Sequence, residues 1–225
     1  MKLQNIFLLF LSILAVSCAS TRPKDATNYD KQLIAPEFIN EYVLGSKEIF
    51  NEPSSGAMLR YENRDFPEDN ITVYVYPINA VSWKDKNETM QDELTYALTD
   101  LDTAIQYGYY QSRTKELVSD FSFKSEGKDF NGKKAEFSLT AENDIVLYSD
   151  IYIFIDEDKY IKFRTSFDSR SVNRSMGDEV IQTLLPKLKV PPESIYMKRI
   201  RDDHKKKIQQ DFIRLMQQVL EESKE

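Results

Sequence analysis

The chain has 225 residues, 30 Lys and Arg against 37 Asp and Glu, and a net charge of -7 at neutral pH, with one Cys and one His. That acidic balance excludes a nucleic-acid partner, whose phosphates call for a basic face. A single His and a single Cys also leave no credible zinc site and no Cys/His or Ser-His-Asp catalytic set.

The N-terminus reads as a secretory leader. Lys2 precedes an eleven-residue apolar run, Ile6 to Val16, which closes in the small residues Ala15 and Ser17, the three-part pattern of an export signal. Eleven helical residues reach about 16 Å, short of a hydrocarbon core of roughly 30 Å. Leu14-Ala15-Val16-Ser17-Cys18 resembles the lipobox of bacterial lipoproteins, with Ala15 standing where that family usually places Leu. The resemblance implies cleavage before Cys18, a diacylglyceryl thioether on its sulfur, acylation of the new amine, and a membrane held through that lipid. A lone exported thiol is a liability in an oxidising compartment, and thioether formation removes it. Two or more acyl chains hold a protein far more firmly than one. Ala19 follows, rather than the Asp that commonly retains such proteins at the inner membrane. In a Gram-negative cell the implied address is therefore the outer membrane, facing the periplasm.

Residues 1–17 are thus expected to be the leader, 18–35 the lipidated cysteine with a polar tether, 36–192 one α+β domain, and 193–225 a terminal amphipathic helix. Thr21, Pro23, Lys24, Asp25 and Asn28 give the tether its flexible composition.

The first β-rich pair lies between Ala57 and Tyr76, broken near Pro67 and Asp69-Asn70. In its second member Ile71, Val73 and Val75 alternate with Thr72, Tyr74 and Tyr76, as two faces of a strand. Asp85 and Glu88 form a capping pair for a helix over roughly 88–107, whose stripe is Leu94, Ala97, Leu98, Leu101 and Ile105. Four alternating runs follow: Phe121 and Phe123; Ala135, Phe137, Leu139 and Ala141; Ile145 to Ile155; and Ile161 to Phe167. Gly127, Asn131-Gly132 and Asp156-Glu157-Asp158 read as the breaks between them. Short connections predict a largely antiparallel meander. Ser175 and Asp178 can cap a second helix carrying Val180, Ile181, Leu184, Leu185 and Leu188, with Pro186 near its end. After Pro191-Pro192, the stripe Ile208, Phe212, Leu215 and Val219 predicts the terminal helix, docked on the body or on a partner.

The order β-β-α-β-β-β-β-α plus a terminal helix resembles that of the Mog1/PsbP-like α+β sandwich, including small bacterial lipoproteins of the DcrB type, across about Ala57 to Leu188. That resemblance implies a binding or assembly-assisting module with no catalytic residues to carry over.

No cofactor is expected. The six glycines form neither a Walker loop nor a dinucleotide fingerprint. Asp156-Glu157-Asp158 lacks the longer alternating series of an EF-hand and reads as a charged turn. His204 reads as a solvated helix residue. Two surfaces stand out instead. Tyr74, Tyr76, Tyr148 and Tyr152 lie opposite the most aliphatic rows, either under a helix or open to a partner or ligand. Lys198, Arg199, Arg201, Lys205, Lys206 and Lys207 form a basic cluster, diluted by Asp202 and Asp203, which is either a solvated face or a contact for anionic lipid or protein. The expected role is a non-enzymatic binding or assembly module with an envelope protein as partner. The alternatives are a small-ligand or glycan-binding domain and a carboxylate-dependent hydrolase.

Overall fold

The computed structural model describes residues 27–66, 69–170 and 176–222. After a short helix α1 (Tyr29–Gln32), the strands are β1 (Phe38–Ile39), β2 (Tyr42–Ile49), β3 (Ala57–Asn63) and β4 (Asn70–Pro77). Helix α2 (Lys86–Gln106) precedes β5 (Ser112–Arg113), β6 (Leu117–Ser125), β7 (Lys128–Thr140), β8 (Val146–Asp156) and β9 (Lys159–Asp168). Helices α3 (Met176–Leu184) and α4 (Ile195–Glu222) close the chain. The nine strands form one antiparallel sheet in the order β1-β2-β3-β4-β9-β8-β7, with β5 and β6 both pairing along β7.

This is the expected α+β architecture, with β3, β4, α2, β6 to β9, α3 and α4 in the expected order. The strands β1, β2 and β5 are additions. Of the two leading strands, β2 is exposed or half-buried at every residue after Tyr42 and carries a bulge between Leu44 and Ser46, so its alternation is blurred.

Both faces of the sheet are covered. On one side α2 lays Met90, Leu94, Ala97, Leu98 and Leu101 on Ala135, Phe137, Leu139, Leu147, Ile151 and Ile153. Its N-terminus is capped as expected, Glu88 N donating to the Asp85 carboxylate at 3.0 Å. Its C-terminal end is stapled to β5 by Arg113, which donates to both Asp102 oxygens at 2.6 and 3.0 Å and also pairs with Glu116. That guanidinium holds both carboxyls below their usual range. On the other side Val180, Ile181, Leu184, Leu185 and Leu188 pack on Val73, Ile161, Phe163, Tyr152 and Phe154. Pro186 ends α3 in a single 3-10 turn. Ser175 lies outside the described residues.

Part of the segment expected as tether, 18–35, belongs to the body. Tyr29 and Leu33 are buried in the second core, and Ile34 bridges Lys189, so from Thr27 the segment belongs to the body.

Asn131-Gly132 is not a turn. The β6–β7 hairpin reverses at Glu126-Gly127, both with positive φ (50 and 78°), as a tight hairpin requires. Gly132 sits inside β7 because the Phe154 ring of β8 lies over it, where a side chain would stand.

At the end of β9, Asp168 accepts from Arg170 N and Nε, each at 2.9 Å. This pairing holds its carboxyl down at about 2 against an ordinary 3.8. A carboxyl depressed by folding adds stability above its unfolded value and loses it as pH falls through the folded one. Unfolding free energy should therefore decline as pH falls from about 4 to about 2, and Arg170→Ala should flatten that limb in a urea titration series. An unchanged slope would refute the assignment. The effect is small, because Arg170 is 73% exposed and salt screens it.

Candidate functional site

The sequence reading singled out four tyrosines and a basic cluster, and the fold separates their members. Tyr74 and Tyr76 project from β4 toward α2. The Tyr76 hydroxyl donates to Glu93, Lys162 pairs with the same carboxylate at 3.3 Å, and the Lys162 ammonium lies 5.0 and 5.6 Å from the Tyr76 and Tyr74 ring centres. Burial and the Glu93 charge push the Tyr76 phenol upward.

Tyr152 is fully buried on the opposite face, beneath α3. Its hydroxyl donates to Asp178 at 2.7 Å, its ring meets Phe121 edge-on at 5.1 Å, and Lys134 bridges to Asp178 at 2.6 Å. Tyr148 is half-buried farther along β8, on the Tyr152 side. The four tyrosines therefore do not make one surface. Helices α2 and α3 cover Tyr76 and Tyr152, and their polar tips are spent on internal carboxylates.

The basic cluster also divides. Arg201 is 3% exposed and belongs to the body. Its Nη1 donates to Asp158 at 2.8 Å and pairs with Glu193, Nη2 donates to the Ile78 carbonyl at 2.6 Å, and the guanidinium lies 4.7 Å from the Trp83 ring centre. Lys159 shares Asp158, donates to the Pro192 carbonyl at 3.2 Å and lies 5.9 Å from the Tyr29 ring centre. Burial and the Asp158 charge raise the Tyr29 phenol. Asp158 is thus a partner of Arg201 and Lys159 in the β8–β9 turn. Among the described residues no group of acidic, His or Cys side chains is arranged to hold a metal.

Sequence reasoning missed Asp158, Glu193 and Trp83 as partners of Arg201. The available signal was that Met197 and Arg201 fall one turn apart on the line of the apolar stripe.

This polar cluster is the root of α4. Ser194 caps the helix, accepting from Met197 N at 3.1 Å, and Met197 is buried beside it. The 28 residues of α4 extend about 42 Å, and every residue from 203 to 222 is exposed. The stripe therefore does not dock on the body, and it is wider than expected. Ile208, Phe212, Ile213, Leu215, Met216, Val219 and Leu220 are all 45–60% exposed, spanning an arc of about 160° at 100° per residue. Lys198, Arg199, Lys205, Lys206, Lys207 and His204 are solvated along the same helix. Among the described residues no helix is long and apolar enough to cross a membrane.

A cleft of about 250 Å³ opens at one end of the sheet, lined by Lys128, Asp129, Phe130, Asn131, Phe154 and Asp156 among others. None of the four tyrosines lines it.

No family model matches the sequence, and no curated protein matches it. Among solved structures, the chain is similar to the solution structure of cyanobacterial PsbP (CyanoP) from Synechocystis sp. PCC 6803, at a TM-score of 0.45 and 12% identity, covering 71% of this chain and 93% of that one.

Proposed function

We propose that this chain is a non-enzymatic binding or assembly module of the cell envelope, held at a membrane by lipid on Cys18 and making its contacts through α4. In a Gram-negative cell the membrane is the outer one, with the module in the periplasm. Cys18 lies outside the described residues, and the support for its lipidation is the leader and the lipobox-like run at 14–18. The observation that carries the role is the projecting part of α4, which presents seven large apolar side chains to solvent. Contiguous apolar surface of this kind marks an interaction site. A helix gains most of its stability by packing such a face, not from propensity alone.

The test is removal of residues 204–225 in the lipid-bearing chain, with crosslinking in native membranes. The cut falls after Arg201, so the root cluster stays whole. The crosslinked partner set should shrink, and an unchanged set would refute the assignment of contacts to α4. The same truncation should leave the unfolding free energy of the body within about 0.5 kcal/mol of the parent, as expected for surface changes away from packed features. Mass spectrometry of the natural protein tests the address separately: an unmodified thiol at Cys18 or an uncut leader would overturn it.

A further inference from the structure

We infer that the occupant of the α4 face is the same helix of a second copy, paired antiparallel. The inference rests on α4 as the contact surface and names its partner. Lys205, Ile208, Phe212, Leu215, Val219 and Glu222 are spaced three, four, three, four and three residues apart, the heptad seam of a helix pair. This seam is apolar in the middle and oppositely charged at its two ends.

Laid antiparallel on itself about the point between Ile213 and Arg214, it sets Phe212 against Leu215, Ile208 against Val219, and Lys205 against Glu222. The last contact occurs twice by two-fold symmetry. A parallel pair would instead set Lys205 against Lys205 and Glu222 against Glu222. The flanks agree: the helix is basic over 198–207, whereas 208–222 carries Asp211, Glu221 and Glu222 against Arg214 alone. Antiparallel pairing brings Lys205, Lys206 and Lys207 of one copy over 220–222 of the other, which carries Glu221 and Glu222.

A bilayer fits this face less well. Interfacial helices carry Lys and Arg on the polar face, whereas here the face behind the apolar arc over 208–222 holds Gln210, Gln217 and Gln218 with Asp211 and Glu221 against Arg214 alone, and Lys205 and Glu222 continue the apolar line itself.

The pairing is tested by disulfide trapping in the full chain, in its native membrane. Chains bearing Ile208→Cys and Val219→Cys are co-expressed, and linked peptides are identified by mass spectrometry. Both positions are half-exposed, so neither change disturbs the body. The expected product is a 208–219 bond between copies, with no 208–208 bond. In the antiparallel pair the two 208 positions stand about 16 Å apart along the axis, beyond disulfide reach.

Lys205→Glu should weaken dimerisation about tenfold in sedimentation of detergent-solubilised protein, and adding Glu222→Lys should restore it. A prevailing 208–208 bond would overturn the antiparallel arrangement. Thiols that stay unlinked and protected, whether by lipid or by the leader run at 6–16, would overturn self-pairing. If they stay unlinked while truncation at 204 still removes crosslinked partners, α4 remains the contact surface and the second copy is excluded as its occupant.

Discussion

Arg201→Met is expected to destabilise the fold by about 3–5 kcal/mol, the cost of removing one partner from a buried ion pair. The guanidinium is 4% exposed and Asp158 is 4% exposed, so no water is at hand to replace the lost contacts. Methionine approximates the stem of the side chain. It leaves Asp158 with Lys159 alone, and it leaves the Ile78 carbonyl without the donor that reaches it at 2.6 Å. Arg201→Lys should recover only part of the loss, because one ammonium cannot span Asp158, Glu193 and the Ile78 carbonyl as the planar fork does. Urea unfolding followed by circular dichroism measures the effect. Limited proteolysis should release α4 early in the Met variant. A loss below about 1 kcal/mol would show that Met197 and the Ser194 cap hold the root without the ion cluster.

The second large effect is expected at Gly132. A Cβ built there would stand 2.6 Å from the Phe154 ring and 2.7 Å from the Ile153 carbonyl oxygen. The ring could turn aside only by leaving Phe121 and Phe163, its neighbours at 6.2 and 6.0 Å. The carbonyl belongs to the β7–β8 ladder and cannot turn. Overpacking of this kind costs typically 1–3 kcal/mol, and Gly132→Val should exceed Gly132→Ala. If Gly132→Ala unfolds at the parent midpoint, the close approach of Phe154 to β7 is not a feature of the protein in solution.

Gly132 also marks where local chemistry misleads. Asn-Gly is a strong hairpin signal on its own, and nothing nearby in sequence announces that a ring more than twenty residues later will occupy the glycine's empty face. Where the signal is purely periodic the sequence is readable: Ile71, Val73 and Val75 face one core and Leu94, Ala97, Leu98 and Leu101 another. Periodicity sets Tyr76 and Tyr152 opposite the most aliphatic rows. It could not tell that α2 and α3 take opposite sides of the sheet and cover them separately. For the candidate surface, the stripe at 208–219 was legible in the spacing. The buried role of Arg201 was not, because its partners come from the loop after β4, a hairpin turn and the approach to α4.

Tyr29 lies against Lys159, and Lys159 shares Asp158 with Arg201. The incoming chain and the outgoing helix are therefore moored at one corner of the domain. A pull on the incoming chain reaches the root of α4 through Tyr29 and Lys159, while Lys47 of β2, donating to the Asp30 and Leu33 carbonyls, ties the same segment to the sheet. Leverage from the projecting arm therefore falls on the same small group of charges that receives the incoming chain.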